Sequence, residues 1–461
     1  MAAGVIMHTN ADTLKVEALA WPHAANVWTA HATRTVATLP AFHMRRCAPA
    51  RDVYGGDPAR VTASNGFFRT AKIAGRWWLV DPAGHLFITV GLCSVTPKCA
   101  SDTARSAFAK AFGGEQAWAN ATADLLWEHG FNGLGAWSAD TVMSGATRRL
   151  VYAPIWNFMS SYGKRRGGTH RQPGHTGYPH DAMFVFDPEF EAFALEHARQ
   201  LAACKDDPWL LGHFSDNELP FKRSALDNFL SLDSDEHGYQ AARRWLDERR
   251  GTNAPLAAAT EEDRAAFAEY VAERYFSIVA KAIRHNDPHH LFLGCRFYGE
   301  EKTMPGVWRA AGRHADVVSV NLYLQWTPDA AWLANWERWS GKPVMITEFY
   351  AKGADAGMLN ETGAGFLVRT QRDRGLFYQN FTLGLLAARV CVGWHLFKYT
   401  DNDPDDPNAE PSNRNSNKGL LTSAFKPHTD YLQELRALNW NVYDVISYID
   451  SATDNPPATH P

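Results

Sequence analysis

Short apolar runs rich in β-branched residues alternate along the chain with longer amphipathic stretches. This alternation is typical of repeated βα units, whose strands lie parallel in one sheet. Eight strands with helices between them predict an α/β fold of the (β/α)8 TIM barrel type. We predict the strands over residues 86–91, 133–137, 151–155, 210–214, 291–295, 317–321, 344–348 and 390–395.

Apolar residues between these strands recur at the three- and four-residue spacing of an amphipathic helix. One stripe between Phe267 and Ile283 persists for about four turns. Each such helix would pack its apolar face against the sheet. We predict helices over residues 116–129, 188–205, 264–285, 330–339 and 369–389.

The segments outside the eight strands show weaker patterns. Residues 75–85 predict a β-hairpin with an Asp-Pro-Ala-Gly turn, placed to cover the bottom of the barrel. Residues 1–65 lack clear periodicity, so we expect an N-terminal arm that is irregular with short β pieces. Residues 66–450 would form the barrel. Residues 451–461 are polar and proline-rich, and we expect a disordered tail there.

Composition and charge narrow the partners of this fold. Hydrophobic residues make up 45% and charged residues 21% of the 461 residues, the balance of an ordinary globular protein. The formal net charge of −4 gives no electrostatic reason to expect nucleic acid or an anionic membrane as partner. No stretch approaches the ~20 apolar residues of a membrane span. The sequence indicates no particular oligomeric state.

The N-terminus and the cysteines bear on location. The first residues lack the basic start and the long apolar run of a secretory signal. The six cysteines are scattered without a CxxC pair, which suits reduced thiols better than a disulfide framework. We therefore expect a cytoplasmic location for the chain as given, from which a leader could have been removed.

Two glutamates close apolar runs at the predicted ends of strands. Glu218 ends strand four in an Asp-Asn-Glu-Leu motif, and Glu348 ends strand seven in an Ile-Thr-Glu-Phe motif. In parallel barrels the carboxyl ends of strands carry the active site. Two carboxylates across a pocket are the minimum for hydrolysing a glycosidic bond, because one donates a proton while the other attacks or activates water. Either glutamate alone could instead pair with an arginine or cap a helix.

Residues near the two glutamates are candidate substrate-binding residues. Asn217 could hold a sugar hydroxyl, and Tyr323 could hydrogen-bond Glu348. Arg296, at the end of strand five, could lower the pKa of a nearby carboxylate. Aromatic residues reach 12%, with 17 Trp, and sugar rings offer apolar faces for them. Trp394 on strand eight is therefore a candidate floor for a sugar, with a place in the core as the alternative.

Other chemistries find little support. The chain has no Gly-x-Ser-x-Gly elbow, His-Glu-x-x-His motif or phosphate loop, which disfavours esterase, metalloprotease and NTPase functions. The acidic loop 401–406 offers several oxygen ligands. Its spacing fits no EF-hand, so a solvated acidic loop is the simpler interpretation and we predict no metal site.

The glutamate motifs and an aromatic residue on strand eight resemble clan A of the retaining glycoside hydrolases. Several longer strings, spread from about residue 51 to 440, are similar to glycoside hydrolase family 50, the β-agarases. The strings are Asn65–Thr70, Gly75–Pro82, Gly130–Asn132, Trp137–Ser138, Phe186–Pro188, Phe214–Leu219, Glu348–Phe349, Gly357–Met358 and Phe397–Tyr399.

The resemblance implies that Glu218 is the acid/base and Glu348 the nucleophile of a retaining enzyme. The implied substrates are β-galactosides or agar-type oligosaccharides, cleaved in exo fashion by a two-glutamate double displacement without metal or organic cofactor. Trp137, His395 and Tyr350 join the substrate-binding candidates on the same ground. A transglycosylase, or a non-hydrolytic carbohydrate-binding relative on the same barrel, stays open as an alternative.

The chain departs from the family pattern in three places. Strand eight reads His-Leu-Phe where the family has His-Trp-Phe, and Trp394 stands two places before Leu396. Two places is one strand period, so the ring could lie on the same face at a different depth. Residue 350 is Tyr where His is expected. The arm of about 65 residues is too short for the N-terminal β-sandwich of the family, which favours short oligosaccharides over a gel.

Overall fold

The computed structural model of the protein describes residues 14–22 and 27–454. Its strands are β1 (Lys15–Leu19), β2 (Thr29–Ala32), β3 (Asp57–Val61), β4 (Arg69–Ile73), β5 (Arg76–Val80), β6 (His85–Phe87), β7 (Thr89–Leu92), β8 (Gly133–Leu134), β9 (Val151–Tyr152), β10 (His170–Gln172), β11 (His175–Gly177), β12 (Gly212–His213), β13 (Leu291–Phe292), β14 (Val318–Asn321), β15 (Val344–Glu348), β16 (Ala351–Gly353), β17 (Phe366–Val368) and β18 (Cys391–Leu396).

The helices alternate with these strands, so the fold is mixed α/β as predicted. They are α1 (Asp102–Phe112), α2 (Glu115–Glu128), α3 (Asp140–Met143), α4 (Phe158–Arg166), α5 (Phe190–His197), α6 (Ala225–Phe229), α7 (His237–Arg250), α8 (Glu261–Asn286), α9 (Pro305–His314), α10 (Ala330–Ser340), α11 (Gln371–Ala387), α12 (Thr429–Asn439) and α13 (Val442–Asp454). Among the described residues, no helix is both long and apolar enough to cross a membrane.

Each of the eight predicted strands contains a parallel strand. Six of them form one sheet in the order β14-β15-β18-β7-β8-β9, and β12 pairs with β13. Isolated parallel bridges join Tyr152 to Leu210 and Phe297 to Val320. The first predicted strand, however, divides at Ile88: β6 pairs antiparallel with β5, and only β7 enters the parallel sheet.

The five predicted helices are present as α2, α5, α8, α10 and α11, and α5 continues as a 3-10 helix over Ala198–Ala203. Helix α8 begins three residues before its predicted start because of a capping box. The Thr260 side chain accepts a hydrogen bond from the backbone N of Asp263, whose carboxylate accepts one from the backbone N of Thr260. Such reciprocal capping satisfies N–H groups that a helix start leaves unpaired.

The predicted hairpin is present as β5 and β6. The backbone N of Gly84, with φ +93°, donates to the carbonyl O of Asp81 at 2.9 Å and closes the turn. Strands β3 and β4, which were not predicted, extend it to a four-stranded sheet in the order β3-β6-β5-β4. Leu79 and Phe87 are buried in one apolar cluster with Leu291, the first residue of β13. The sheet therefore packs against the amino ends of the parallel strands.

The two ends of the described chain contain regular secondary structure. In the arm, β1 pairs with β2 and with β17, which ties this segment to the region after β15. At the other end, α13 continues to Asp454, so the first four residues of the predicted tail are helical. The remainder of that tail, 455–461, and residues 1–13 and 23–26 lie outside the described residues.

Candidate active site

A cavity of about 770 Å3 opens at the carboxyl ends of the parallel strands. Glu218 and Glu348 both line it. Its walls also come from the tip of the β10–β11 hairpin, from two later loops and from the arm. These wall segments are Pro173–His175, Glu361–Ala364, Glu410–Asn413 and Trp21.

Glu348, the last residue of β15, is held at both carboxylate oxygens. Arg296 donates from Nη2 to Oε1 at 2.7 Å, and the Tyr323 hydroxyl donates to Oε2 at 2.5 Å. The pKa of Glu348 is raised to about 7, because burial and the charge of Glu218 together outweigh the lowering effects of Arg296, Tyr323 and Lys418. The predicted contacts of Arg296 and Tyr323 with this carboxylate are thus present.

Glu218 is held by a residue on a neighbouring strand. Asn321, the last residue of β14, donates from Nδ2 to Glu218 Oε1 at 2.8 Å. His175 Nδ1 lies 3.5 Å from Glu218 Oε2. The backbone of Glu218 has φ +53°, a conformation that a side chain with a Cβ adopts only at a cost. Strained backbone of this kind clusters at functional sites, because the surrounding structure must hold it in place.

One hydrogen-bonded network connects the two glutamates. Arg296 donates from Nη1 to Asn217 Oδ1 at 2.9 Å, and Asn321 Nδ2 donates to the same oxygen at 3.1 Å. Thr347 donates from Oγ1 to Asn321 Oδ1 at 2.8 Å. Because Arg296 also binds Glu348 and Asn321 also binds Glu218, a displacement of either carboxylate would disturb the other.

Arg296 does not lie where its predicted substrate-binding role would require. Its side chain is fully buried and does not line the cavity. The guanidinium lies 4.3 Å from the ring centroid of Trp137, between that ring and the strands. Arg296 therefore contributes to the site through its hydrogen bonds to Glu348 and Asn217.

Four of the other predicted substrate-binding residues do line the cavity: Asn217, Tyr323, Tyr350 and Trp137. Trp137 is 39% exposed, which leaves its ring free to stack on a sugar. The rings of Tyr323 and Tyr350 meet edge-on at 5.3 Å. Asn217 uses its side-chain oxygen within the network and donates from Nδ2 to the carbonyl O of Gly174 at 3.3 Å, so one amide N–H remains for a ligand.

The predicted role of Trp394 in the cavity is wrong. Its ring is fully buried on the helix side of β18, where Nε1 donates to the Tyr378 hydroxyl of α11 at 2.8 Å. Side chains on a regular strand alternate between faces, so a position on this face cannot reach the cavity. Phe397 lines the cavity instead, at the point where the chain leaves β18. Its ring centroid lies 6.2 Å from that of Trp137.

The predicted role of His395 is also wrong. His395 points to the opposite face from Trp394, into the space enclosed by the strands, and does not line the cavity. A Cβ placed on Gly91 or Gly135 would come within 2.3 Å or 2.6 Å of its ring. Burial lowers the pKa of His395 to about 3. The neutral imidazole therefore fills space beneath the site.

Several residues of the site were missed from the sequence. Asn321 stands at the end of a predicted strand, as Glu348 does, and the same strand-end reasoning applies to it. Lys398 lies inside the Phe-Lys-Tyr string already noted. Lys418 belongs to a polar loop and His175 begins the short polar strand β11, and neither segment has a periodic signal.

The acidic groups that could attract a cation accept hydrogen bonds from other residues of the protein. In the acidic loop, the Asp401 carboxylate accepts hydrogen bonds from Asn417 Nδ2 and from the backbone N of Gly419. Elsewhere in the described residues, His213, Asp287 and His290 lie close enough to share a metal ion. Both ring nitrogens of His213 are already hydrogen-bonded, to Trp156 and to Asp287. None of these groups lines the cavity.

Comparison with known proteins gives relatives along most of the chain. No protein-family model matches it. It is 25% identical to β-agarase B of Vibrio sp. (strain JT0107), over 86% of this chain and 50% of that protein. It is 24% identical to β-agarase A of the same organism, over 88% of this chain and 49% of that protein. The chain thus spans about half the length of the curated relatives it matches.

Solved structures extend the likeness. A structure described as BpGH50 has a TM-score of 0.84 and 29% identity, over 96% of this chain and 98% of that one. A structure described as an exo-beta-agarase has a TM-score of 0.72 and 21% identity, over 87% of this chain and 68% of that one, and shows the fold alone. Fold and site together place the chain in the class of the glycoside hydrolases. Within that class, the chain is similar to proteins of glycoside hydrolase family 50.

Proposed function

We propose that this protein is a retaining glycoside hydrolase that cleaves β-glycosidic bonds of β-galactosides or agar-type oligosaccharides. The observation that carries the proposal is the network that holds Glu218 and Glu348 in one cavity. Two carboxylates that share a cavity can divide acid/base and nucleophilic work between them. Hydrogen bonds to both oxygens of Glu348 aim it as a nucleophile, whereas Glu218 keeps Oε2 toward the hairpin tip.

The reaction would proceed in two displacements. First, Glu348 attacks the anomeric carbon while Glu218 gives its proton to the leaving oxygen, and the glycosidic C–O bond breaks. A glycosyl ester on Glu348 results. In the second step, Glu218 takes a proton from water as the water oxygen attacks the anomeric carbon, and the Glu348 carboxylate is released. Arg296 favours the ionised form of Glu348 in both steps.

The cavity walls support a substrate class and a mode of action. Trp137 and Phe397 offer aromatic faces for a sugar ring, and Asn217 offers one amide N–H for a hydroxyl of that sugar. The hairpin tip, the two later loops and Trp21 surround the cavity on several sides, which favours attack at a chain end over attack within a long chain. The names of the β-agarase relatives favour galactose-containing substrates.

We also propose that the eight parallel strands close into a (β/α)8 barrel. The six-stranded sheet supplies five of the neighbour pairings, and β12–β13 supplies another. The isolated bridges Tyr152–Leu210 and Phe297–Val320 supply the two pairings that remain, β9 with the strand of β12 and the strand of β13 with β14. A crystal structure tests this closure, and a gap in the pairing wide enough to admit water would contradict it.

The function is tested with Glu348→Gln and Glu218→Gln on an aryl β-galactoside and on agar oligosaccharides. We expect each variant to lose at least about 1000-fold in kcat/KM, with an unchanged circular dichroism spectrum. Glu262→Gln, at the exposed start of α8, is the control and should keep full activity. Product anomers, read by NMR before mutarotation, should retain the β configuration. Full activity of Glu348→Gln, or an α product, would contradict the proposal.

A further inference from the structure

Two lysines line the cavity, and the mechanism uses neither of them. Lys398 follows β18 directly, and Lys418 lies in the loop that returns to the same wall. The backbone N of Lys398 donates to the carbonyl O of Lys418 at 3.0 Å. The two residues are therefore direct neighbours, with both side chains in the cavity wall.

Neither ammonium group has a carboxylate within 4.0 Å in the part of the chain that the structure describes. Lys418 donates from Nζ to the carbonyl O of Ser412 at 2.5 Å and to Asn413 Oδ1 at 2.8 Å, both neutral acceptors. Glu348 and Glu410 act on Lys418 only through space. The Glu410 carboxylate is already engaged by the backbone N of Gly174 and by Ser412.

Placing two such cations side by side is unfavourable when Lys418 is fully buried and Lys398 is half-buried. Burial lowers the pKa of Lys398 to about 8, and burial together with the charges of Lys398 and Lys352 lowers the pKa of Lys418. A buried cation usually has an anionic partner, because its charge otherwise costs desolvation energy. A ligand anion between the two ammonium groups would supply that partner and restore their charge.

The lysines face the place where the reacting sugar would lie. Lys418 Nζ lies 5.0 Å from the ring centroid of Tyr350 and is close enough to Glu348 to lower its pKa. Gly363, with φ +82°, keeps this corner open. A Cβ at that position would come within 2.6 Å of Lys418 Nζ and within 2.2 Å of the Tyr350 hydroxyl.

We propose that Lys398 and Lys418 bind an anionic substituent, a carboxylate or a sulfate ester, on the sugar that lies next to Glu348. The inference rests on the proposed glycosidase function and narrows its substrates to acidic β-galactosides. Charge-assisted hydrogen bonds from two ammonium groups would select such a sugar over its neutral counterpart.

The test is calorimetric binding of galactose, galacturonate and galactose 6-sulfate to the intact protein. We expect one acidic sugar to bind at least about tenfold more tightly than galactose. Preference for galacturonate identifies a carboxylate site, and preference for galactose 6-sulfate identifies a sulfate site. Lys398→Met and Lys418→Met should each abolish the preference and leave galactose affinity within about twofold of the parent protein. Lys222→Met removes a charge outside the cavity wall and should keep the preference.

Equal dissociation constants for the three sugars, including no measurable binding of any, would overturn the proposal. Lysine variants that weaken galactose as much as the acidic sugars would also overturn it. Lys418 is the more deeply buried of the two, so Lys418→Met could fail to fold. Two variants guard against this: Lys418→Arg keeps the charge, and Lys398→Met replaces a lysine that is only half-buried. Binding requires no turnover. Failure of the glycosidase proposal would instead appear as full activity of Glu348→Gln.

Discussion

At the scale of single residues, Arg296 determines how the two glutamates stand toward each other. Its guanidinium donates to Glu348 from one nitrogen and to Asn217 from the other. A planar guanidinium with several fixed donors suits this task better than the single ammonium of lysine. Tyr323 completes the support of Glu348 from the opposite oxygen. The ionisation of Glu348 therefore depends on these two donors, which act against the effect of burial.

This balance predicts the pH dependence of the enzyme. Burial raises the pKa of Glu348 to about 7, so kcat/KM should fall as the pH drops below about 7 and the carboxylate takes up a proton. Tyr323→Phe removes a donor that lowers this pKa. In this variant the pKa of Glu348 should therefore rise, and the acid limb of the kcat/KM profile should move to higher pH by about half a unit or more.

The measurement is the pH profile of kcat/KM with an aryl β-galactoside. Tyr350→Phe is the matched control, because its hydroxyl has no hydrogen bond to Glu348 in the described residues and its loss should leave the acid limb in place. An acid limb that stays unmoved in Tyr323→Phe would show that Glu348 does not control the limb.

At the scale of elements, the end of β18 separates structural from functional aromatic residues. Trp394 lies within β18 and packs toward α11, whereas Phe397 lies just past the strand end and turns into the cavity. Their roles differ although only three positions separate them. Loss of the first ring should affect stability, and loss of the second should affect substrate binding.

Trp394→Phe should lower the free energy of unfolding by about 1–3 kcal/mol, because the hydrogen bond to Tyr378 and part of the packing are lost. KM should change little. Phe397→Leu should raise KM severalfold with a smaller loss of stability. Urea denaturation gives the free energy of unfolding of both variants, and steady-state kinetics gives KM. A raised KM in Trp394→Phe together with an unchanged KM in Phe397→Leu would show that Trp394, and not Phe397, contacts the substrate.

The strands and loops also show which features of the structure can be predicted from sequence patterns. Strand positions and their polar ends were predictable, because a short buried strand is a continuous apolar run, which stops at Glu348 in one case and shortly before Glu218 in the other. The direction of residues near the end of β18 was not predictable, since period-two alternation holds only while the strand stays regular. The β10–β11 hairpin and the loop with Lys418 carry few apolar residues, so no periodicity marks where they fold back over the cavity.

At the scale of the whole molecule, the chain places a four-stranded sheet at one end of the parallel strands and the cavity at the other. The sheet buries the amino ends of the strands, which leaves the carboxyl ends free to carry chemistry. Likeness to the BpGH50 structure over 96% of this chain agrees with this arrangement. The arm takes part as well, because β1 pairs with β17 and Trp21 reaches the cavity wall.

The central claim is that Glu348 forms a covalent bond with the sugar during turnover. The most direct measurement is mass spectrometry of the protein after reaction with 2-deoxy-2-fluoro-β-galactosyl fluoride, which slows the second displacement. We expect one glycosyl adduct, located by peptide mapping on Glu348, and none in Glu348→Gln. An adduct on another residue, or no adduct on protein that hydrolyses the parent galactoside, would contradict the account.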